Sequence, residues 1–271
     1  MSIIRRLSLK VLGVESEGNS TLPNLLAQNI LRKLGIGHSS PVFQKIRIMY
    51  RNRGSHIRLS RSFSFNGEDS VLAKYLPEVV GNYLDIGSGH PTRGSNTFLF
   101  YKRGWAGTTI DPLKKIHRLH QRRRHRDRQI NACIGISEDQ NEIVIFYKYS
   151  ADDFSTTSEN RYLELLKRGV TPTSILKLPT IRIKELQLRA SPLDPFFLDI
   201  DIEGSEFEVL KSNDWDNFTP RVIAVEEWSS PIYEPTPIRM YLEKLGYILD
   251  SRTVVTSIYV HQAYLTATQF S

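Results

Sequence analysis

From Phe63 onward the chain repeats one unit: a short apolar run, a break at glycine or acid, then a segment with helical apolar spacing. Asn82–Ile86 stops at Gly87-Ser88-Gly89, and the run at 105–110 stops at Asp111-Pro112. Residues 196–202 are apolar but punctuated by Asp199 and Asp201, and 221–225 runs into Glu226-Glu227. Apolar runs this short read as buried strands and the spaced segments as helices, at 96–103, 113–124, 159–168, 205–212 and 237–245. Further strands are expected at 130–136, at 142–149 as an edge, and as a closing pair at 247–250 and 257–261. Strands alternating with helices imply parallel pairing through right-handed crossovers, hence an open α/β sheet with helices on both faces.

Composition narrows the rest. At 271 residues, with 40% hydrophobic and 24% charged residues, the chain has room for one large α/β domain plus an appendage. Cys133 is the single cysteine, which excludes an internal disulfide and a thiolate zinc cluster. No uninterrupted apolar stretch is long enough for a transmembrane helix, and Arg5-Arg6 is not followed by a secretory core, so a cytoplasmic protein is expected. Residues 1–61 hold 11 Lys and Arg against two acids, a net of +9, whereas the remaining 25 basic and 27 acidic residues sum to −2. The chain therefore divides into a basic, partly helical N-terminal extension (1–61) and a catalytic-sized domain (62–271). A basic segment fits an anionic partner, and the apolar spacing at 3–12 suits peripheral contact with an anionic membrane surface.

In open α/β sheets ligands bind beyond the carboxyl ends of the strands. Gly87 and Gly89 permit a sharp strand-to-helix turn and close approach of a ligand to the backbone. A dinucleotide fingerprint requires a third glycine where Thr92 stands, but Asp111 follows Gly87 by 24 residues, where an acid accepts the hydroxyls of a ribose. Together these point to an adenosine-type ligand. No P-loop occurs.

The blocks 65–69 (Phe-Asn-Gly-Glu-Asp), 85–91 (Asp-Ile-Gly-Ser-Gly-His-Pro), 95–97 (Ser-Asn-Thr) and 100–107, then Ile110-Asp111-Pro112, 199–206 and Val225-Glu226, taken in order, resemble the FkbM-type methyltransferase family over residues 63–261. The family often has Glu where Asp111 stands, and Lys or Ser at position 199. The resemblance implies a Rossmann-like, mostly parallel sheet with a closing antiparallel strand. It also implies S-adenosylmethionine as cofactor and O-methylation, most readily of a sugar hydroxyl in a glycan or glycosylated natural product. Asp85, Gly87 and Gly89 would form the methionine-side cradle, and Asp111 would hold the ribose. Ser155 and Thr156, in the hydroxyl-rich loop 153–158, and Glu226 would contact the small-molecule or glycan acceptor.

Methyl transfer from a sulfonium needs in-line positioning and removal of the acceptor's proton, with no covalent nucleophile. Asp201 is the first candidate base, supported by Glu203, and His90 on the glycine loop is the second. Phe154, Trp228 and Tyr233 are candidate aromatic walls for a sugar face. Asp199, Asp201, Glu203, Glu226 and Glu227 are oxygen donors suited to a divalent metal, but acids on different strands need not converge, so a metal is not expected. The stretch 114–128, with eight Lys and Arg and three histidines, reads as a solvated basic face. The rival readings are an RNA methyltransferase, disfavoured because nucleic-acid modules are lacking and the domain is slightly acidic, and a non-catalytic scaffold retaining the fold.

Overall fold

A computed structural model describes residues 62–137, 139, 142–151, 154–227 and 234–269. The basic extension 1–61, with its apolar spacing at 3–12, lies outside the described residues. The core is a seven-stranded sheet in the order β3-β2-β1-β7-β8-β10-β9. Its strands are β1 (Asn82–Ile86), β2 (Ala106–Ile110), β3 (Arg128–Ile130), β7 (Phe196–Ile200), β8 (Val222–Glu226), β9 (Tyr247–Arg252) and β10 (Thr256–His261). The first five run parallel to one another, and β10 is antiparallel to both β8 and β9. The helices are α1 (Glu68–Tyr75), α2 (Phe98–Arg103), α3 (Lys114–Arg123), α4 (Glu159–Lys167), α5 (Glu206–Lys211), α6 (Pro237–Lys244) and α7 (Gln262–Gln269).

Period-two alternation along the strands builds two cores, one on each face. Leu84, Ile86, Leu198, Ile200, Ile223 and Val225 pack with Val209 and Leu210 of α5 and Leu242 of α6. Tyr83, Phe197, Val222, Ala224, Ile258 and Val260 pack with Leu72 of α1, with Leu76 just after it, and with Phe100 and Trp105 around α2. The second face also carries acids: parallel register sets Asp85 directly beside Asp199.

The strand expected at 130–136 is two strands. The Asp111 N–H donates to the Ile130 carbonyl (3.1 Å), and the Asn131 side-chain amide donates to the Asp111 carbonyl (2.9 Å). There the chain leaves the main sheet. β4 (Cys133–Ile134) instead joins a three-stranded sheet in the order β4-β6-β5, with β5 (Ile143–Lys148) and β6 (Ser174–Ile181). β6 is hidden in sequence by Pro179, which cannot donate to a ladder; here it stands opposite Ile143 at the end of the pairing with β5.

The stretch 114–128 is not uniformly solvated. Ile116, His120 and Arg124 lie four residues apart on one face and are all buried, Arg124 to 0% exposure. The Arg124 guanidinium donates to Asp127 Oδ2 (2.7 Å), the Tyr83 hydroxyl (2.7 Å), Thr97 Oγ1 (2.8 Å) and Ser95 Oγ (3.3 Å). It also lies 3.8 Å from Asp85 Oδ2. The Tyr83 hydroxyl donates to Asp127 Oδ1 (2.7 Å), closing the network. Removing one partner from a buried ionic network strands the others. Arg124→Met should therefore cost about 3–5 kcal/mol in urea unfolding, and Arg124→Lys should recover little because an ammonium cannot reproduce the planar fork.

Candidate active site

The carboxyl ends of β1, β2, β7 and β8 open into a cavity of about 600 Å³, within the usual range for small-molecule sites. Its floor is the turn after β1. The Gly87 and Ser88 N–H groups both donate to the Ile110 carbonyl (3.0 and 3.1 Å), and the Asp201 N–H donates to the Ile86 carbonyl (3.0 Å). This brings the turns after β1 and β7 into contact. Gly87 adopts φ +79°, and a Cβ there would lie 1.7 Å from the Asp201 carbonyl oxygen, so no other residue fits. His120 braces the turn: its Nε2 is 3.0 Å from the Gly89 carbonyl, which can only accept, so this nitrogen carries the proton.

Asp111 lines the cavity at the end of β2. Its Oδ2 accepts the Gly89 N–H (3.2 Å) and its Oδ1 the Leu113 N–H (2.8 Å), which fixes the carboxylate against the glycine turn. Leu113, Ile116, Ala132, Ile134 and Phe146 form an apolar wall beside it, to which the second sheet, missed by sequence reading, contributes Ile134 and Phe146. Burial pushes the Cys133 thiol in the same wall up to about 12, so it is an inert apolar surface at neutral pH.

Of the residues singled out in sequence, Gly87, Gly89, His90, Asp111, Ser155, Asp201, Glu203 and Glu226 line the cavity, whereas Asp85 and Thr156 do not. Asp85 is buried beneath the turn, accepting the Thr97 hydroxyl. Burial pushes its carboxyl up to about 6 against the pull of Arg124 and Thr97. Its neighbour Asp199 is bonded to the Asn96 amide (3.0 Å) and is raised well above the usual carboxylate range by burial and by Asp85. Thr156 donates to the Glu203 carbonyl (2.7 Å), supporting a non-glycine residue at φ +61°. Ser158 caps α4, accepting the Arg161 N–H (3.3 Å).

Asp201, Glu203 and Glu226 converge, with one carboxylate oxygen of each within 4.8 Å of the others. Asp201 is exposed, Glu226 is buried, and Glu203 pairs with Arg161 (3.2 Å). Burial, then the charges of Asp201, Glu203 and Glu206, push Glu226 up to about 10, so it keeps its proton at neutral pH and shares it with Asp201 in a hydrogen bond. Glu227 turns away from the cluster to the Tyr259 hydroxyl (2.8 Å) and to Thr236. His90 accepts the Thr92 N–H at Nδ1 (3.2 Å), which leaves the proton of its neutral ring on Nε2. Burial, together with Arg93, Arg123 and Lys115, lowers its pKa. Phe154 lines the cavity, Trp228 and Tyr233 lie outside the described residues, and Phe65 is a lining aromatic that sequence reading did not single out as one.

A parallel sheet of this order, closed by an antiparallel strand and carrying a glycine turn and a strand-end acid at its cavity, has the architecture of a Rossmann-like methyltransferase. Residues 85–249 match the methyltransferase FkbM domain, more than half the chain, and the protein belongs to that family; it is an S-adenosylmethionine-dependent methyltransferase. No curated protein sequence matches it. Among solved structures, it is similar to the 1,6-didemethyltoxoflavin-N1-methyltransferase of Burkholderia thailandensis crystallised with 1,6-didemethyltoxoflavin and S-adenosylhomocysteine (13% identity, 91% of each chain, TM-score 0.37). It is also similar to cofactor-bound Rv0187 from MTB (12% identity, 90% of this chain and 98% of that one, TM-score 0.36). A third is a SAM dependent methyltransferase from Aquifex aeolicus (12% identity, 72% and 89%, TM-score 0.32). Among the described residues no helix is long and apolar enough to cross a membrane.

The residues present fit this cofactor. The turn has no room for a Cβ at Gly87, and Asp111 and the apolar wall beside it face one continuous cavity. The bracing histidine makes the turn sensitive to acid. Burial, then Arg124, lowers His120 to about 4, against about 6.5 for an unfolded histidine. Between those values the unfolded chain binds a proton that the folded chain does not, so this contribution is complete above about pH 6.5 and lost as pH falls towards 4. Asp85, raised to about 6, changes in the opposite sense over the same window and masks the effect in the wild type. His120→Gln keeps a donor for Gly89 but cannot titrate. Relative to wild type it should gain on the order of 2 kcal/mol between pH 7 and pH 4.5, read from urea unfolding at the two pH values.

Proposed function

We propose that the enzyme methylates a sugar hydroxyl of a glycan or glycosylated natural product. The observation that carries this reading is the lining of the cavity around the turn after β7. The side chains of Asp201, Glu203, Glu226, Ser155, Thr157, Asn66 and Asn96 line the same cavity as the rings of Phe65 and Phe154. A saccharide offers hydroxyls to the polar groups and C–H faces to the rings. Acceptors carrying carboxylate or phosphate next to the reacting atom would be repelled by the acids.

When bound, S-adenosylmethionine supplies a methyl group on a sulfonium sulfur that departs as a neutral thioether. In this reading the Gly87–Gly89 turn would hold the methionine side, Asp111 would accept hydrogen bonds from the ribose hydroxyls, and Leu113, Ile116, Ile134 and Phe146 would flank the base. Asp85 acts from below by holding the turn. Asp201 would receive the proton of the acceptor hydroxyl that takes the methyl group. His90, with its proton on Nε2, serves as a donor to the ligands and not as the base.

Asp111→Ala should weaken S-adenosylmethionine binding roughly ten- to hundredfold by calorimetry, and an unchanged affinity would remove the ribose assignment. Asp201→Asn should keep that affinity and lose about 10²–10⁴-fold in turnover; turnover within a fewfold of wild type would leave Asp201 without a role as base. For the acceptor, labelled S-adenosylmethionine is offered with separate pools of RNA, lipid-linked glycan, polysaccharide and small-molecule extract. Label should enter a glycan fraction as an alkali-stable ether. Label confined to RNA, or released as methanol in mild base, defeats the sugar assignment.

The basic segment 1–61 is assigned to contact with an anionic membrane surface and not to the chemistry. The full-length protein should float with anionic vesicles, not neutral ones, and be released by high salt.

A further inference from the structure

We propose that Asp201, Glu203 and Glu226 hold a single hard divalent cation, which binds the acceptor through two of its neighbouring oxygens. The use of the cation rests on the methyltransferase reading; the site itself rests on geometry. Asp201 and Glu203 come from the turn after β7 and Glu226 is the last residue of the adjacent β8, so three carboxylates reach one point from two strand ends. Opposite oxygens around a bound cation stand two bond lengths apart, roughly 4.1 Å for Mg²⁺ and about 4.6–5.2 Å for Ca²⁺. The observed spread of 4.8 Å accommodates the larger ion and needs only a sub-ångström closure for the smaller.

An independent observation at the same point is an unsatisfied atom. Glu226 is 5% exposed and lines the cavity, and its Oε2 is buried without a hydrogen-bond partner among the described residues. A buried carboxyl oxygen left in this state is costly, and neither the Asp201 hydrogen bond nor the Arg161–Glu203 pair relieves it. A cation supplies the missing partner, and its binding displaces the Glu226 proton to solvent, so that the residue ligates as a carboxylate. The donors are all oxygens, which selects Mg²⁺, Mn²⁺ or Ca²⁺ over softer metals. Three protein ligands leave coordination positions open towards the cavity. Those positions suit an acceptor with adjacent oxygens, such as a vicinal diol, whose reacting hydroxyl is acidified by the metal while Asp201 keeps a second oxygen for its proton. This narrows the sugar class to acceptors with a neighbouring hydroxyl or carbonyl.

The test uses the full-length protein, stripped with chelator, and Mn²⁺ alone as probe, read as loss of the free-ion signal in electron paramagnetic resonance. One Mn²⁺ per chain should bind and be displaced by excess Mg²⁺ or Ca²⁺. Glu226→Gln and Asp201→Asn should each weaken binding at least roughly tenfold, since affinity in such sites follows ligand charge. Should Glu226→Gln fail to fold, the exposed Asp201 variant decides by itself. Absence of Mn²⁺ binding in the wild type, or equal binding in the variants, overturns the proposal. Calorimetry with S-adenosylmethionine on the same stripped samples reports the methyltransferase reading separately, so a protein that binds the cofactor but no Mn²⁺ refutes only the cation.

Discussion

The cavity depends on a guanidinium that never meets water. Arg124 joins β1 through Tyr83 and Asp85, the segment before α2 through Ser95 and Thr97, and the approach to β3 through Asp127. A charge buried to that extent is tolerated only when its donors are engaged and its partners carry opposite charge. The geometry of the guanidinium therefore dictates where those segments sit. Because Asp85 is the penultimate residue of β1, the glycine turn that follows inherits its position from the network beneath it.

Acids at the strand ends form two layers with different electrostatics. In the lower layer Asp85 and Asp199 lie side by side and buried, their repulsion eased by Arg124, Thr97 and Asn96. In the upper layer Asp201 reaches solvent while Glu226 beside it is desolvated enough to keep its proton. Depth in the sheet thus sets which carboxyl groups are charged at the cavity and which only support it. The same gradient explains why residues of one chemical type, spaced two apart, have such different environments.

Much of the main sheet was legible because its strands are short, apolar and bounded by glycine or acid. Asn82–Ile86 was read with its observed bounds, and the strands near 105–110, 196–202 and 221–225 differ from the observed ones only at their ends. The break after Ile130 was not legible, because a side-chain hydrogen bond from Asn131 across to Asp111 redirects the chain, and apolar content alone does not record it. β6 was concealed by Pro179, and the buried face of α3 by its many arginines. The signal there was the four-residue spacing of Ile116, His120 and Arg124, outweighed by local charge.

Local sequence determined the alternation of strands and helices, the need for glycine at 87 and 89, and the placement of acids at strand ends, since each follows from backbone sterics and short-range periodicity. Tertiary structure decided which acids meet. Asp199 and Asp201 are two residues apart, yet one is sealed beside Asp85 and the other opens into the cavity beside Glu226, 25 positions further on. Contacts between neighbouring strands depend on sheet order and register, and the burial that goes with them sets protonation. Neither quantity is carried by any segment of the chain taken by itself.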